Sequence, residues 1–461
     1  MLKKIANGCN KLVQRYLPDP YIFALLLTAL VFLLGIIVNR ETPLAMVAHW
    51  GEGFWGFLGF SMQMVLVVVL GNCLANAPIF QKLLRNLAGI PKSPRQAVAF
   101  CTLVSGIAYL IQWGFGLVVG AIFAKELAKR VRGVDYRLLV ASAYSAYILT
   151  LTTNSIILKA ASNPEDLLKV TGGVVSQIIP ITQTAYFAPT LIALVVMLVG
   201  LIFLNARMHP APEDTFCIDP AVIEREEAAE RAEAEAQANL DRKSMTPAEK
   251  LENSRVVTVV TFILGAVYVV YYFVTGGFNL SIDIVNMMLL FLGILLHRTP
   301  MAYIKALGNA IKSAVGIILQ FPFYAGIMGM MTGVSPEGVS LAGTISNAIA
   351  SISNQGTFPI FTFLSAALVN MAVPSAGGQW AVQAPVMFPA AQALGVGNAI
   401  TTTAIAWGDS WTNLIQPFWA LPVLGIAGLK VRDIMGYCVV AWLFTGVVIV
   451  ASLLAWTFLF V

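Results

Sequence analysis

The residues able to do chemistry in this chain are few, and most stand inside strongly apolar runs. Asp409 is the sharpest of them, an acid in the stretch WGDSWTNLIQP (residues 407–417) followed by Ser410, Thr412 and Asn413. An isolated carboxyl at membrane depth is expensive when ionised, so it either holds a cation or carries a proton during part of a cycle. Thr152, Thr153, Asn154 and Ser155 make a second polar patch within TLTTNS (150–155), and Ser375, Gly377, Gly378, Gln379 and Trp380 make a third within NMAVPSAGGQWAVQAP (370–385). QWGFG at 112–116 is the fourth and contributes Trp113 and Gly114. Hydroxyls, amides and backbone N–H groups freed at helix breaks are neutral donors suited to one carboxylate. No arginine lies in either glycine-bearing tip, so a second or third carboxylate on a ligand would go unneutralised. For coupling, Na+ near Asp409 with Asn413 or Asn154 as further ligands, and a proton on Asp409, both satisfy the residue types present. The competing role for Asp409 is structural, as a cap on the helix after the break. Trp113, Trp380 and Trp411 offer apolar lining for a short tail, with interfacial anchoring as their alternative role.

Each patch interrupts a segment that would otherwise enter a bilayer. Residues 358–373 and 381–394 are apolar, but Pro374 removes a backbone donor, Gly377 and Gly378 relax the helix, and each arm is short for a full span. Lipid offers no partner for freed backbone groups, so such a break must be buried in protein or line a cavity. A re-entrant hairpin over 357–395 follows. A second hairpin is expected over 97–124, because Lys82, Arg85, Lys92 and Arg95 precede it and Lys125, Lys129, Arg130, Arg132 and Arg137 follow it. Basic residues collect on the cytoplasmic side, so this segment begins and ends there. The other hairpin has no basic flanks: residues 313–429 hold no Lys, Arg or His, and their only acids are Glu337 and Asp409.

The chain in order gives an amphipathic cytoplasmic segment at 1–20, a first membrane repeat at 21–205, a charged cytoplasmic linker at 206–254 and a second repeat at 255–461. Each repeat holds a hairpin, a broken span with a Thr/Asn/Ser cluster and a final span, in opposite orientation. Inverted repeats with discontinuous helices characterise secondary transporters that bind substrate near the midplane. The fold class is therefore an all-α polytopic membrane protein, an inverted-repeat transporter with two re-entrant helical hairpins and two broken transmembrane helices.

Composition agrees. Of 461 residues, 58% are hydrophobic and 11% charged, with a mean hydropathy of +0.80, which excludes a soluble enzyme. The net charge of +5 hides an acidic linker: residues 207–255 carry 7 Lys/Arg and 12 Asp/Glu, leaving 21 and 11 elsewhere. That basic excess fits loops facing anionic lipid rather than nucleic acid. Five scattered cysteines without a CxxC pair, and three histidines in no metal pattern, predict neither disulfides nor a metal site. HExxH and GxSxG are absent, so the expectation is no enzyme and no cofactor beyond a coupling ion, Na+ or H+.

The runs WGFGLVVGAIFAKELAKR (Trp113–Arg130), QFPFYAGI (320–327), AVPSAGGQW (372–380), QPFWALPVLGIAGLKVRDIMGYC (416–438) and YLPDPYIFALLLT (16–28) closely resemble the bacterial short-chain fatty acid transporter family. One departure stands at TLTTNS, where the resemblance implies a glycine-rich broken helix. The likeness covers nearly all of the chain outside the linker. It implies a multi-pass carrier of the bacterial inner membrane, with a cytoplasmic N-terminus, for acetoacetate, butyrate and similar short-chain carboxylates. It also implies coupling to a cation gradient, an elevator-type motion and a homo-oligomer, a dimer. The rival reading is an efflux antiporter or a dicarboxylate carrier of the same architecture.

Overall fold

A computed structural model describes residues 8–9, 15, 19–111, 113–151, 155–162, 167, 175, 177–218, 221, 224, 228, 232, 245–277, 281–335, 338–374 and 376–460. The amphipathic segment expected at 1–20 and the middle of the linker lie mostly outside them. Among the described residues the chain is helical, with one isolated bridge between Val334 and Ser340.

Prolines set many of the helix starts, since a proline at the first position loses no hydrogen bond. α1 (Pro20–Val38) opens after Asp19, whose carboxylate accepts from the Tyr21 N–H at 3.0 Å. α2 (Pro43–Gly53) and α3 (Leu58–Ala75) form a pair bent by 45°. α3 ends at Ala75 because Ala77 is held extended ahead of Pro78, which starts the amphipathic α4 (Pro78–Ala88). α5 (Pro94–Ile111) and α6 (Trp113–Arg130) fold back on one another. Gly116 lies against Tyr109 and Gly120 against Ser105, so the arms run antiparallel, over a longer stretch than 97–124. α7 (Tyr136–Ser145) tightens into a 3-10 helix, Ala146–Leu151; α8 (Ile156–Ala161) and α9 (Ala188–Met208) follow.

The linker is tied down where it begins. Buried Asp135 caps α7 by accepting from Leu138 N–H at 2.8 Å and also accepts from Phe216 N–H at 2.8 Å, while the Arg137 guanidinium sits 4.8 Å over the Phe216 ring. At its far end Thr246 and Glu249 form a capping box on α10 (Pro247–Glu252).

The second half continues with α11 (Arg255–Gly276), α12 (Ile282–Leu296), α13 (Pro300–Ala310), α14 (Val315–Thr332) and α15 (Leu341–Ser351). α16 (Phe358–Ala372) and α17 (Ala376–Ala393) make the second hairpin. α18 (Asn398–Asn413), α19 (Pro417–Ala427) and α20 (Val431–Leu459) close the chain. Six stretches are long and apolar enough to cross a membrane, at Tyr21–Val38, Pro94–Ile111, Ala188–Met208, Arg255–Gly276, Pro300–Thr332 and Val431–Leu459; the bent α2–α3 pair makes a seventh among the described residues.

An eleven-residue helix, a hairpin, a broken span and a long last helix follow one another in each half. A local signature recurs ahead of α2 and α13. Arg40 (φ 54°) and Arg298 (φ 68°) are the non-glycine residues with positive φ among those described. Each precedes a Thr-Pro pair, Thr42-Pro43 and Thr299-Pro300, whose threonine hydroxyl accepts from the N–H of Ala45 at 3.2 Å or Ala302 at 3.3 Å. A sharp reversal into a proline-started, threonine-capped helix thus opens α2 and α13 alike.

Candidate functional site

α18 lies directly on α16 because Gly408 has no side chain at the crossing. A Cβ there would meet the Phe363 carbonyl oxygen and would sit 2.5 Å from the Ala366 Cβ and 2.8 Å from the Ala367 nitrogen. This close approach brings the last turn of α16 onto the last turn of α18. Asn370, fully buried, reaches across. Its Nδ2 lies 2.7 Å from the Asp409 carbonyl oxygen, 2.9 Å from Thr412 Oγ1 and 2.6 Å from Asn413 Oδ1. In return Gln416 Nε2 donates to the carbonyls of Asn370 at 3.1 Å and Met371 at 3.0 Å, groups that the end of α16 leaves without a partner. The two amides cross-cap the hairpin and the broken span. Their own oxygens, Asn370 Oδ1 and Gln416 Oε1, are buried with no hydrogen-bond partner, an arrangement that suits a bound cation or donor.

Asp409 is more than nine-tenths buried and has no ion-pair partner among the described residues. It stands inside α18, one turn before Asn413. The interruption expected over 407–417 is confined to 414–416, ahead of Pro417, so Trp407, Asp409, Ser410, Trp411, Thr412 and Asn413 are all helical. The capping role is therefore absent: the residue before α19 is Gln416, and no side chain caps that helix.

The first broken span joins through tyrosines. Tyr144 Oη donates to the Asn413 carbonyl at 2.5 Å, and Asn413 Nδ2 lies 3.5 Å from Tyr147 Oη. The Tyr147 ring is 5.8 Å from Trp419, which packs edge-on at 5.5 Å against Trp113 beside the first hairpin's tip. Both broken spans and the first hairpin meet here.

The remaining expected site residues are distributed as follows. Thr152, Thr153, Asn154 and Ser375 lie outside the described residues. Ser155 is buried, and its hydroxyl lies 3.4 Å from the Leu158 N–H at the start of α8. Gly114 is buried within α6, and Gly377 and Gly378 stand in the first turn of α17. Buried Gln379 binds the second hairpin together, donating to the Ala366 carbonyl at 3.0 Å and to Gln383 Oε1 at 3.0 Å, while Gln383 donates to Ser365 Oγ at 3.1 Å. Trp380 packs on Phe388 in a separate apolar cluster with Ile157 and Leu158, apart from Trp113. Trp411 stacks on Trp442 at 4.3 Å and donates to its carbonyl at 2.8 Å, so it fastens α18 to α20 rather than lining a pocket.

Asn370, Gln416, Tyr144, Tyr147 and Trp419 also meet at this junction, and the sequence reading passed over them. Asn370 and Gln416 did carry a signal, as amides beside breaks in apolar runs; the aromatic residues look like core in any apolar segment. No group of three His, Cys, Asp or Glu side chains gathers among the described residues, so a cation here would draw on amide, hydroxyl and backbone oxygens around Asp409.

Comparison with known proteins gives a consistent result. The model of the family described as short chain fatty acid transporter matches residues 1–456. A protein of Escherichia coli (strain K12) named for short-chain fatty acid transport is 44% identical over 98% of this chain and 99% of its own length. A counterpart with the same name in Haemophilus influenzae is 43% identical over 98% and 99%. Among solved structures, the YdaH transporter of Alcanivorax borkumensis is similar at a TM-score of 0.42 and 16% identity, over 95% of this chain and 98% of that one.

Proposed function

The chain belongs to the short-chain fatty acid transporter family, and from that premise we propose that it takes up short-chain monocarboxylates such as acetoacetate and butyrate against their gradient, driven by Na+. The observation that carries this reading is the junction of α16, α18 and the first broken span. One carboxyl, buried Asp409, lies in a junction whose other described polar groups are neutral amides, hydroxyls and backbone carbonyls, with the Asn370 amide on its main-chain carbonyl, and no Lys, Arg or His pairs with it among the described residues. Neutral donors suit a singly charged acid, because each further carboxylate would need its own compensating charge. Asp409, with the unpartnered Asn370 Oδ1 and Gln416 Oε1, supplies oxygen ligands for a hard cation. Asn413 Oδ1 is already within reach of the Asn370 amide, which favours these two oxygens as ligands over Asn413.

In this reading the two sets of elements are inverted membrane repeats over 21–205 and 255–461, and both hairpins are re-entrant with their tips at the site. The protein sits in the bacterial inner membrane with its N-terminus cytoplasmic and works as a dimer. Its hairpins and broken spans move as a unit against the remaining helices, an elevator-type motion. The test is competition. Purified protein in liposomes is loaded with labelled butyrate by counterflow and challenged with unlabelled acids. Inhibition by acetoacetate, propionate and butyrate, with none by succinate or citrate, is the expected result. Strong inhibition by succinate would instead establish the dicarboxylate carrier.

A further inference from the structure

We propose that the aromatic corner formed by Trp113, Tyr147 and Trp419 is the subsite for the substrate's tail, and that Trp419 sets its length limit. The proposal rests on the monocarboxylate reading above and extends it to specificity. The three rings come from three elements: Trp113 from the start of α6, Tyr147 from the 3-10 turn of the first broken span, and Trp419 from the first turn of α19. Trp419 touches both others, at 5.5 Å and 5.8 Å between ring centroids. The corner adjoins the polar junction directly, because Asn413 is within reach of Tyr147 by its amide and accepts from Tyr144 by its carbonyl. An acid bound beside that junction therefore has these rings along its carbon chain. Behind Trp419 the space is closed: Phe418 packs against it at 5.3 Å and Phe60 at 6.2 Å, and Phe418 in turn stacks on Phe321 at 4.1 Å. An indole held edge-on by two further rings does not yield to one extra methylene.

A second feature of Trp419 points to a ligand. Its indole N–H is buried and has no acceptor. Trp50, Trp380, Trp407 and Trp442 share that property, but among the described ring contacts Trp419 is the one that meets both the first hairpin and the first broken span. A buried donor at such a meeting point is matched by an oxygen arriving with the substrate. That oxygen belongs to the carboxylate or, in a 3-oxo acid, to the ketone.

The experiment compares wild-type, Trp419→Ala and Trp419→Phe proteins, full-length in liposomes. It measures uptake of labelled butyrate and acetoacetate, with unlabelled straight-chain acids from acetate to octanoate as competitors. Truncation to alanine is expected to shift the best competitor to a longer acid, with about fourfold tighter inhibition for each methylene newly accommodated. Phenylalanine keeps the wall and removes the donor, so the optimum chain length stays and KM rises about tenfold. A rise for both acids assigns the N–H to the carboxylate; a rise for acetoacetate alone assigns it to the ketone. Should Trp419→Ala fail to assemble, Trp419→Leu carries the same expectation. An unshifted chain-length profile in the truncated variant, or an unchanged KM for both acids in the phenylalanine variant, overturns the proposal. Wild-type liposomes that take up neither acid would instead refute the carrier reading beneath it.

Discussion

Replacing Asn370 by alanine tests the junction at its centre. Its two amide protons serve three acceptors, the Asp409 carbonyl, Thr412 Oγ1 and Asn413 Oδ1, all within 2.9 Å. A net buried hydrogen bond is worth about 1 kcal/mol, so losing two costs about 2 kcal/mol, before the added cost of stranding the third acceptor. Gln416 still holds the end of α16 through the Asn370 and Met371 carbonyls, which are backbone groups, so the hairpin is loosened rather than released. The loss therefore falls on the geometry around Asp409. Two kcal/mol corresponds to about 30-fold in an equilibrium constant, and the expected effect is a rise of that order in KM for butyrate, or in the cation concentration giving half-maximal uptake. Liposome uptake at varied substrate and cation concentrations reads both, and thermal unfolding in detergent reads the shared stability loss. Kinetics within twofold of wild type together with an unchanged melting midpoint would refute the claim that Asn370 organises the site.

Other expectations follow from the same contacts. Gly408→Ala forces α16 and α18 apart, costing about 1–3 kcal/mol as overpacking, and should lower the melting midpoint and slow uptake together; a neutral result would mean the crossing is looser than described. Asp135→Ala strands the Leu138 and Phe216 N–H groups, a loss of about 2–4 kcal/mol, and should expose the chain near Phe216 to limited proteolysis while wild type stays resistant. Hydrogen bonds from the Thr246 backbone and hydroxyl hold the Glu249 carboxyl below the usual carboxylate range. A lowered folded-state value means the capping box stabilises α10 above the ordinary glutamate range and stops doing so as pH falls through the folded value. An NMR titration should find Glu249 more acidic than other exposed glutamates, with Thr246→Ala erasing the difference.

Much of the fold was legible in the sequence, for reasons that are local. Apolar runs of span length and prolines located most of the apolar helices, because those features act through the backbone directly. The break in the second half was drawn too wide, since WGDSWTN reads as polar while Gly408 and Asp409 are helix-compatible once α16 shelters them. Pro78 ended α3 sooner than apolarity alone suggested. At the junction, Asp409, Ser410, Thr412 and Asn413 drew notice from the sequence because polar groups stand out in apolar runs. Asn370 and Gln416 matter through where their amides reach across to another helix, which spacing along one chain does not encode. Tyr147 and Trp419 are apolar by composition and become site residues only when the tip of the first hairpin arrives beside them. The shared positive φ of Arg40 and Arg298, each ahead of a Thr-Pro pair, is a backbone property that residue type does not announce.

Gradient-driven accumulation tests the central claim most directly. Purified protein in sealed liposomes is given labelled butyrate or acetoacetate with an inward Na+ gradient, an inward proton gradient, or neither, alongside an Asp409→Asn variant of normal thermal stability. The account predicts accumulation above the external concentration with Na+ for wild type, and none for the variant. Simple equilibration of wild type under every gradient, or full accumulation by Asp409→Asn, would contradict it.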